Sequence, residues 1–283
     1  MSREADRAER TGYALIDAGD WRRLERFGTL LVDRPAPTTT DAPLAPDDWR
    51  DADLRFDGDA GTWSREVDPW PVELEGLVLE LRPTSSGGVG LFPEHLENMA
   101  WLAAQVRSRA RDRQPSVLNL FAHTGLATLV AARAGAAVAH VDAARAAVAG
   151  ARRNAELSGL ADRRIRWLVD DAVGFVAREA RRGRRYDGIV LDPPSFGRAG
   201  NRRWQLAEAL PELLAACRDV ATDEAFVLLS AHTTGVDGEE LAWHLADAFE
   251  PAAGRATVDV VPLTLHATSG AGLDLGWAAR LPG

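Results

Sequence analysis

The sequence contains no lysine; all 33 of its basic side chains are arginine, which genome composition explains without a functional reading. It has one cysteine, Cys217. A single thiol excludes an internal disulfide and a cysteine-built metal site, and a reducing cytoplasm is the expected setting. No stretch approaches the roughly 18 consecutive apolar residues of a membrane span, so none is expected. The first residues, MSREADRAER, are charged and have no apolar segment behind them, unlike a secretory signal. There is no internal repeat and no low-complexity tract.

What is present fits one large α/β domain with a smaller appendage: 283 residues, 46% of them hydrophobic. The net charge of -9 is uneven. Residues 1–92 carry 11 arginines against 19 carboxylates, and the remainder is nearly neutral. Such an acidic segment is repelled by phosphate backbones, whereas a local basic patch in the remainder can still hold an RNA.

Residues 3–34 read as one or two short helices, with Leu15, Ile16, Trp21, Leu24 and Phe27 as their apolar positions. A Pro-, Thr- and Asp-rich linker follows at 34–49. Alternating stretches within 54–82 predict a small antiparallel sheet, and 84–90 is a glycine-rich connection. From there the texture changes. A helix near 94–110 precedes apolar strands at 116–121, 137–142, 165–169, 186–192, 224–231, 255–262 and 273–280. Helices are expected near 125–134, 144–158, 172–182, 203–220 and 238–250. The expected fold is therefore α/β: a Rossmann-like, seven-stranded, mostly parallel sheet with helices on both faces and a terminal hairpin. A small N-terminal α+β subdomain occupies 1–83 and the main domain 84–283.

In such a sheet, ligands bind at the carboxyl ends of the strands. The first strand ends in Asn119-Leu120-Phe121-Ala122-His123-Thr124-Gly125, a tight turn into a helix whose free N–H groups can meet a polar ligand. It has one glycine, so the dinucleotide fingerprint G-x-G-x-x-G is absent. Asp142 ends the second strand, 17 residues after Gly125, where a carboxylate accepts from ribose hydroxyls or caps the next helix. Asp170-Asp171-Ala172 ends the third; there a carboxylate, Asp171 before Asp170, can accept from an adenine amino group, or again cap.

The sharpest signal is YDGIVLDPPSFG, residues 186–197. Asp192 ends a buried strand, and Pro193 and Pro194 fix the turn and leave its carbonyls free and rigidly placed. A carboxylate with such carbonyls can orient an amine toward a sulfonium methyl, which is catalysis by positioning. Ser195, Phe196, Arg198, Arg202, Arg203 and Trp204 follow directly and should border an acceptor pocket. Arginines with an aromatic there suit a phosphate and a stacked base, and equally a small anionic aromatic molecule. His232, after the fifth strand, is a candidate base or substrate contact, or a structural histidine.

Taken together, VLNLFAHTG, HVDAARAAVAGARRNAELSGL and YDGIVLDPPSFGR resemble class I S-adenosylmethionine (SAM)-dependent methyltransferases, and more closely the branch related to bacterial large-subunit ribosomal RNA methyltransferases. The resemblance covers residues 90–283, and Tyr13 to Pro35 and GLFPEHLENMAWL (90–102) also resemble the N-terminal part of this branch. It implies that Asn119 to Gly125 line the methionine and ribose side of SAM. It also implies that Asp142 holds the ribose, Asp171 the adenine, and that Asp192 faces the methyl. Phe92 to His95 would close over the pocket. Relatives that methylate cytosine C5 use a cysteine at a strand end. Here those ends read DPPS and SAH, and Cys217 sits on the apolar face of a helix with Leu213 and Leu214. That chemistry is not expected. The acceptor expected is a base nitrogen of RNA, with a small-molecule N- or O-acceptor as the alternative and a non-catalytic SAM-binding protein as a third reading. No metal is expected, because methyl transfer from a sulfonium needs no Lewis acid and the sequence shows no histidine cluster.

Overall fold

The computed structural model describes residues 12–199, 202–232, 235–249 and 257–283; for 197–199, 202 and 203 it describes the backbone alone. The chain divides into two compact units. One holds the residues through Glu94 together with Thr264–Leu275; the other holds His95–Leu263 and Gly276–Gly283.

The first unit is a β structure. Strands β1 (Tyr13–Gly19), β2 (Arg22–Phe27), β3 (Leu30–Pro35), β4 (Leu54–Asp57) and β5 (Thr62–Trp63) form one sheet in sequence order. Strands β6 (Trp70–Leu74) and β7 (Leu77–Leu81) form a separate hairpin. The helices expected within 3–34 are therefore corrected to strands over the described part, residues 12–34. The cause is visible in what the strands bury. Their inward positions include Asp17, Arg23, Glu25, Asp33 and Arg34, all under 9% exposed, so the alternation of apolar and polar residues is hidden. Glu25 accepts from Arg34 Nε at 2.5 Å, Arg34 Nη2 at 3.1 Å and Tyr13 Oη at 2.9 Å. Asp17 accepts from Trp49 Nε1 at 2.9 Å and Ser269 Oγ at 2.7 Å. The β1–β2 turn is made by Asp20 and Trp21, both at positive φ, a place where a hairpin usually advertises itself with glycine.

The second unit holds the α/β sheet, apart from the parts of its two terminal strands that fall within Thr264–Leu275. The sheet consists of β8 (Ser116–Leu120), β9 (Ala137–Asp142), β10 (Ile165–Val169), β11 (Tyr186–Leu191) and β14 (Ala221–Ala231), with the terminal strands β15 (Asp259–His266) and β16 (Gly272–Leu281). The order is β10-β9-β8-β11-β14-β16-β15. The first five strands are parallel, and β16 joins β14 antiparallel. Among the described residues, six helices flank this sheet: α1 (Leu96–Arg109), α2 (Leu126–Arg133), α3 (Arg145–Leu157), α4 (Ala172–Arg181), α5 (Leu206–Arg218) and α6 (Gly238–Phe249). Phe175 and Val176 of α4, Leu210 and Leu214 of α5, and Leu241 and Leu245 of α6 pack with Ile189, Val227 and Leu229 into one core. Gly188 lets Phe226 lie against β11, since a Cβ there would fall 2.0 Å from the ring.

The strand order reverses between β8 and β11. Two loops therefore flank the crevice where open α/β sheets bind ligands: the one after β8 and the one after β11. The second leads into a short hairpin that the sequence did not announce, β12 (Phe196–Ala199) with β13 (Arg202–Gln205).

Candidate active site

The loop after β8 is held in an unusual shape. Phe121, His123 and Gly125 all have positive φ, at 55°, 47° and 92°. Non-glycine residues in that region cost energy and persist where the surroundings enforce them, often at ligand sites. The enforcement is local. His123 N donates to Asp142 Oδ2 at 2.8 Å, Asn154 Nδ2 donates to the Thr124 carbonyl at 2.9 Å, and Ala122 N donates to the Val141 carbonyl. A Cβ on Gly125 would meet Ala151 of α3 at 2.9 Å, so glycine is required for the close approach as well as for its φ. Asn119 is buried and spends its amide on Thr128 Oγ1 at 2.9 Å, beneath the turn. Thr128 in turn meets His140 Nδ1 at 2.9 Å. Burial pushes the His140 imidazole down to about 3, and it lowers His123 as well.

The acidic strand ends are in place and already bonded. Asp142 accepts from His123 N and, through Oδ1, from Ala144 N at 2.8 Å at the start of α3. Asp171 caps α4 by accepting from Gly174 N at 2.8 Å, directly before Ala172. Asp170 accepts from Asp171 N and pairs with Arg178. The helix-capping reading is thus realised for Asp171, whereas Asp142 bonds the turn ahead of α3, whose N-cap residue is Ala144; such bonds and ligand contacts are compatible on one carboxylate with several lone pairs.

Around Asp192 the structure adds what the sequence did not show. Asp192 follows β11, Ser230 lies near the end of the neighbouring β14, His232 directly follows that strand, and His95 precedes α1. Ser230 Oγ donates to Asp192 Oδ1 at 2.6 Å. His95 Nε2 lies 3.1 Å from Asp192 Oδ2, His232 Nε2 lies 3.3 Å from Asp192 Oδ1, and the two Nε2 atoms lie 3.2 Å apart. The expectation of no histidine cluster is corrected. Its members are far apart in sequence and meet only because α1 and two neighbouring strand ends come together. Burial opposes the charge of Asp192, but His95, with the hydrogen bonds from both imidazoles, outweighs it and holds the carboxyl well below the usual carboxylate range.

The residues after Asp192 are partly redistributed. Pro193 is buried and Pro194 exposed. The Pro194 carbonyl accepts from Trp204 Nε1 at 2.7 Å, and the Ser195 carbonyl accepts from Leu206 N at 3.1 Å. The reading of free carbonyls therefore needs correction at Pro194. Trp204 is 6% exposed and lies against Phe121, ring centroids 5.6 Å apart, so it braces the two loops from within and offers no open stacking face. Phe196, 72% exposed, is the open aromatic of this stretch. Arg198, Arg202 and Arg203 lie on the β12–β13 hairpin, and their side chains fall outside the described residues. Cys217 is fully buried in α5, where burial pushes its thiol up to about 12, as befits a core cysteine.

Residues 53–222 match the sequence model of a family described as S-adenosylmethionine-dependent methyltransferase. A solved structure of a SAM-dependent methyltransferase from Agrobacterium tumefaciens is 36% identical, covers 95% of this chain and 90% of its own, and superposes with a TM-score of 0.88. The ribosomal RNA large subunit methyltransferase I of Aeromonas salmonicida is 37% identical over 153 residues, which is 54% of this chain and 35% of that protein. The protein of the same name from Shewanella denitrificans is 32% identical over 129 residues, 45% of this chain and 31% of its own. This chain thus spans about a third of the length of the curated relatives it matches. The switch-point loops, the acidic strand ends and the family match over more than half of the chain together place it among the S-adenosylmethionine-dependent methyltransferases.

Proposed function

We propose that the protein transfers the SAM methyl group to a base nitrogen of RNA, ribosomal RNA first among candidates. The observation that carries this reading is Asp192. At the carboxyl end of β11, its carboxyl is held below the usual carboxylate range, bonded by Ser230, and followed by a proline-fixed turn that ends in the exposed ring of Phe196. The names of the curated relatives support RNA as the acceptor. In this reading the loop from Asn119 through Phe121, Ala122, His123 and Thr124 to Gly125 cradles the methionine and ribose side of SAM. Asp142 accepts from the ribose, and Asp170, Asp171 and Ala172 form the adenine edge. Asp192 with Pro193 and Pro194 presents the acceptor nitrogen. Ser195, Phe196, Arg198, Arg202, Arg203 and His232 border the acceptor, with Trp204 behind them. Residues 84–283 form the methyltransferase domain in this proposal, which counts 84–94 with it although that segment packs in the first unit. The cytoplasm, where ribosomal RNA is modified, is the proposed setting.

The test uses purified protein, methyl-tritiated SAM and an extract from a strain lacking the gene. RNA, protein and small molecules are then separated and counted. Ribonuclease-sensitive label in the RNA is the expected result. Label confined to small molecules would replace RNA by a small anionic acceptor.

A further inference from the structure

From the geometry we infer that His95, Asp192 and His232 form a binding site for a divalent first-row transition-metal ion. The three residues come from three elements and converge on one point. Four atoms form a closed ring: His95 Nε2 lies 3.1 Å from Asp192 Oδ2, Asp192 Oδ1 lies 3.3 Å from His232 Nε2, and the two Nε2 atoms lie 3.2 Å apart. The carboxylate faces His95 with Oδ2 and His232 with Oδ1, so it can offer one oxygen or straddle both.

Hydrogen bonding by itself does not satisfy this ring. An imidazole Nε2 carries at most one proton, and a carboxylate carries none while ionised. If both Nε2 atoms are protonated, both can donate to Asp192, but two N–H groups then face each other across 3.2 Å. If only one is protonated, the other turns a bare lone pair toward the carboxylate at 3.1 or 3.3 Å. With the carboxylate ionised, each of these arrangements leaves one edge unfavourable. A cation at the centre removes the conflict, because all three groups then use lone pairs in the same direction. At the usual metal–ligand distances of about 2.0–2.2 Å, two Nε2 atoms 3.2 Å apart subtend roughly 95–105° at the metal, between octahedral and tetrahedral values.

Two further features fit. Ser230 donates to the carboxylate at 2.6 Å, the kind of outer partner that orients a metal-ligating carboxylate. The side chains of His95, Asp192 and His232 are 12%, 28% and 28% exposed, enough for an ion to enter. Two imidazoles and one carboxylate suit Zn2+, Fe2+ or Co2+ better than the all-oxygen sites that Mg2+ and Ca2+ take. Three protein ligands leave positions open for water or for an acceptor oxygen or nitrogen. The inference stands on these three side chains and does not require the acceptor to be RNA.

The test is a calorimetric titration of the chelator-treated full chain with ZnCl2, with a parallel titration with SAM. One Zn2+ per chain is expected, weakened at least about tenfold by His95→Ala and again by His232→Ala, with SAM binding kept. Equal Zn2+ affinity in wild type and both variants, or no binding to wild type, overturns the site. Should either variant fail to fold, Co2+ is added to wild-type protein and the imidazole resonances are followed. Paramagnetic shifts at His95 and His232 are expected, and unshifted resonances overturn the inference. Loss of SAM binding with Zn2+ binding intact would count against the cofactor cradle and leave the metal site standing.

Discussion

Ser230 Oγ donates to Asp192 Oδ1 at 2.6 Å across two neighbouring parallel strands, β11 and β14. The carboxylate that ends β11 is therefore aimed by the strand beside it. Its orientation is built into the sheet and does not wait for substrate. Replacing Asp192 by alanine should lower methyl transfer at least about a hundredfold, the scale expected when a positioning group is lost. SAM affinity should stay close to wild type, since Asp192 lies after β11 and the cradle after β8. Transfer of tritiated methyl, measured beside calorimetric SAM binding, checks both halves. Normal transfer by Asp192→Ala would remove the residue from the mechanism.

Gly125 sits at φ 92° with Ala151 of α3 pressed against the place a side chain would take. Gly125→Ala should therefore strain the loop twice, by conformation and by contact. The expected cost is about 1–3 kcal/mol of stability, together with weaker SAM binding. Thermal unfolding and calorimetry of the variant measure the two effects. A variant as stable as wild type, binding SAM equally well, would show that the loop does not depend on this glycine.

His140 is fully buried and its imidazole is pushed down to about 3. In the unfolded chain a histidine titrates near 6.5, so below that pH the unfolded state binds a proton that the folded state refuses. Stability should fall with pH between about 6.5 and 3, by at most about 1.4 kcal/mol per unit from this residue. In a nuclear magnetic resonance titration, His140 should show no protonation between pH 8 and pH 5. A midpoint near 6.5 would contradict its burial.

Much of the second unit was legible in the sequence because its strands are unbroken apolar runs and its helices are amphipathic. Ile165–Val169 and Ala137–Asp142 occur where the sequence places them, and α4 and α6 start where expected. The acidic strand ends followed from the same pattern. What the sequence hid depends on long-range placement. His95, Asp192 and His232 come together only through the packing of α1 beside β11 and β14. Trp204 was expected to border the acceptor pocket as a stacking ring, but the β12–β13 hairpin turns it inward onto Phe121 and Pro194. The first unit was misread as helical because its strands bury charged residues where a sheet usually buries aliphatic ones.

Those buried charges give a direct test of that unit. Glu25 is fully buried, held by Arg34 and approached by Arg23 at 3.4 Å. Burial works against its charge, yet Arg34 and Arg23 outweigh it and keep the carboxyl below its ordinary range. Glu25→Gln keeps the size and removes the charge, leaving two buried guanidiniums without their counterion. Breaking one side of such a pair costs about 3–5 kcal/mol, so a clear drop in the unfolding midpoint is expected near neutral pH. The sign with pH follows from the lowered carboxyl. Its contribution is fully present above the ordinary carboxylate range and disappears as pH falls through the folded value, where wild-type Glu25 itself takes up a proton. The gap between wild type and Glu25→Gln should accordingly close in acid. A double-mutant cycle with Arg34→Met isolates the pair, because groups in one hydrogen-bonded network are not additive. Glu25→Gln should cost much less in the Arg34→Met background. If it costs the same there, the side chain matters for its packing in the sheet and the ion pair is not what holds it.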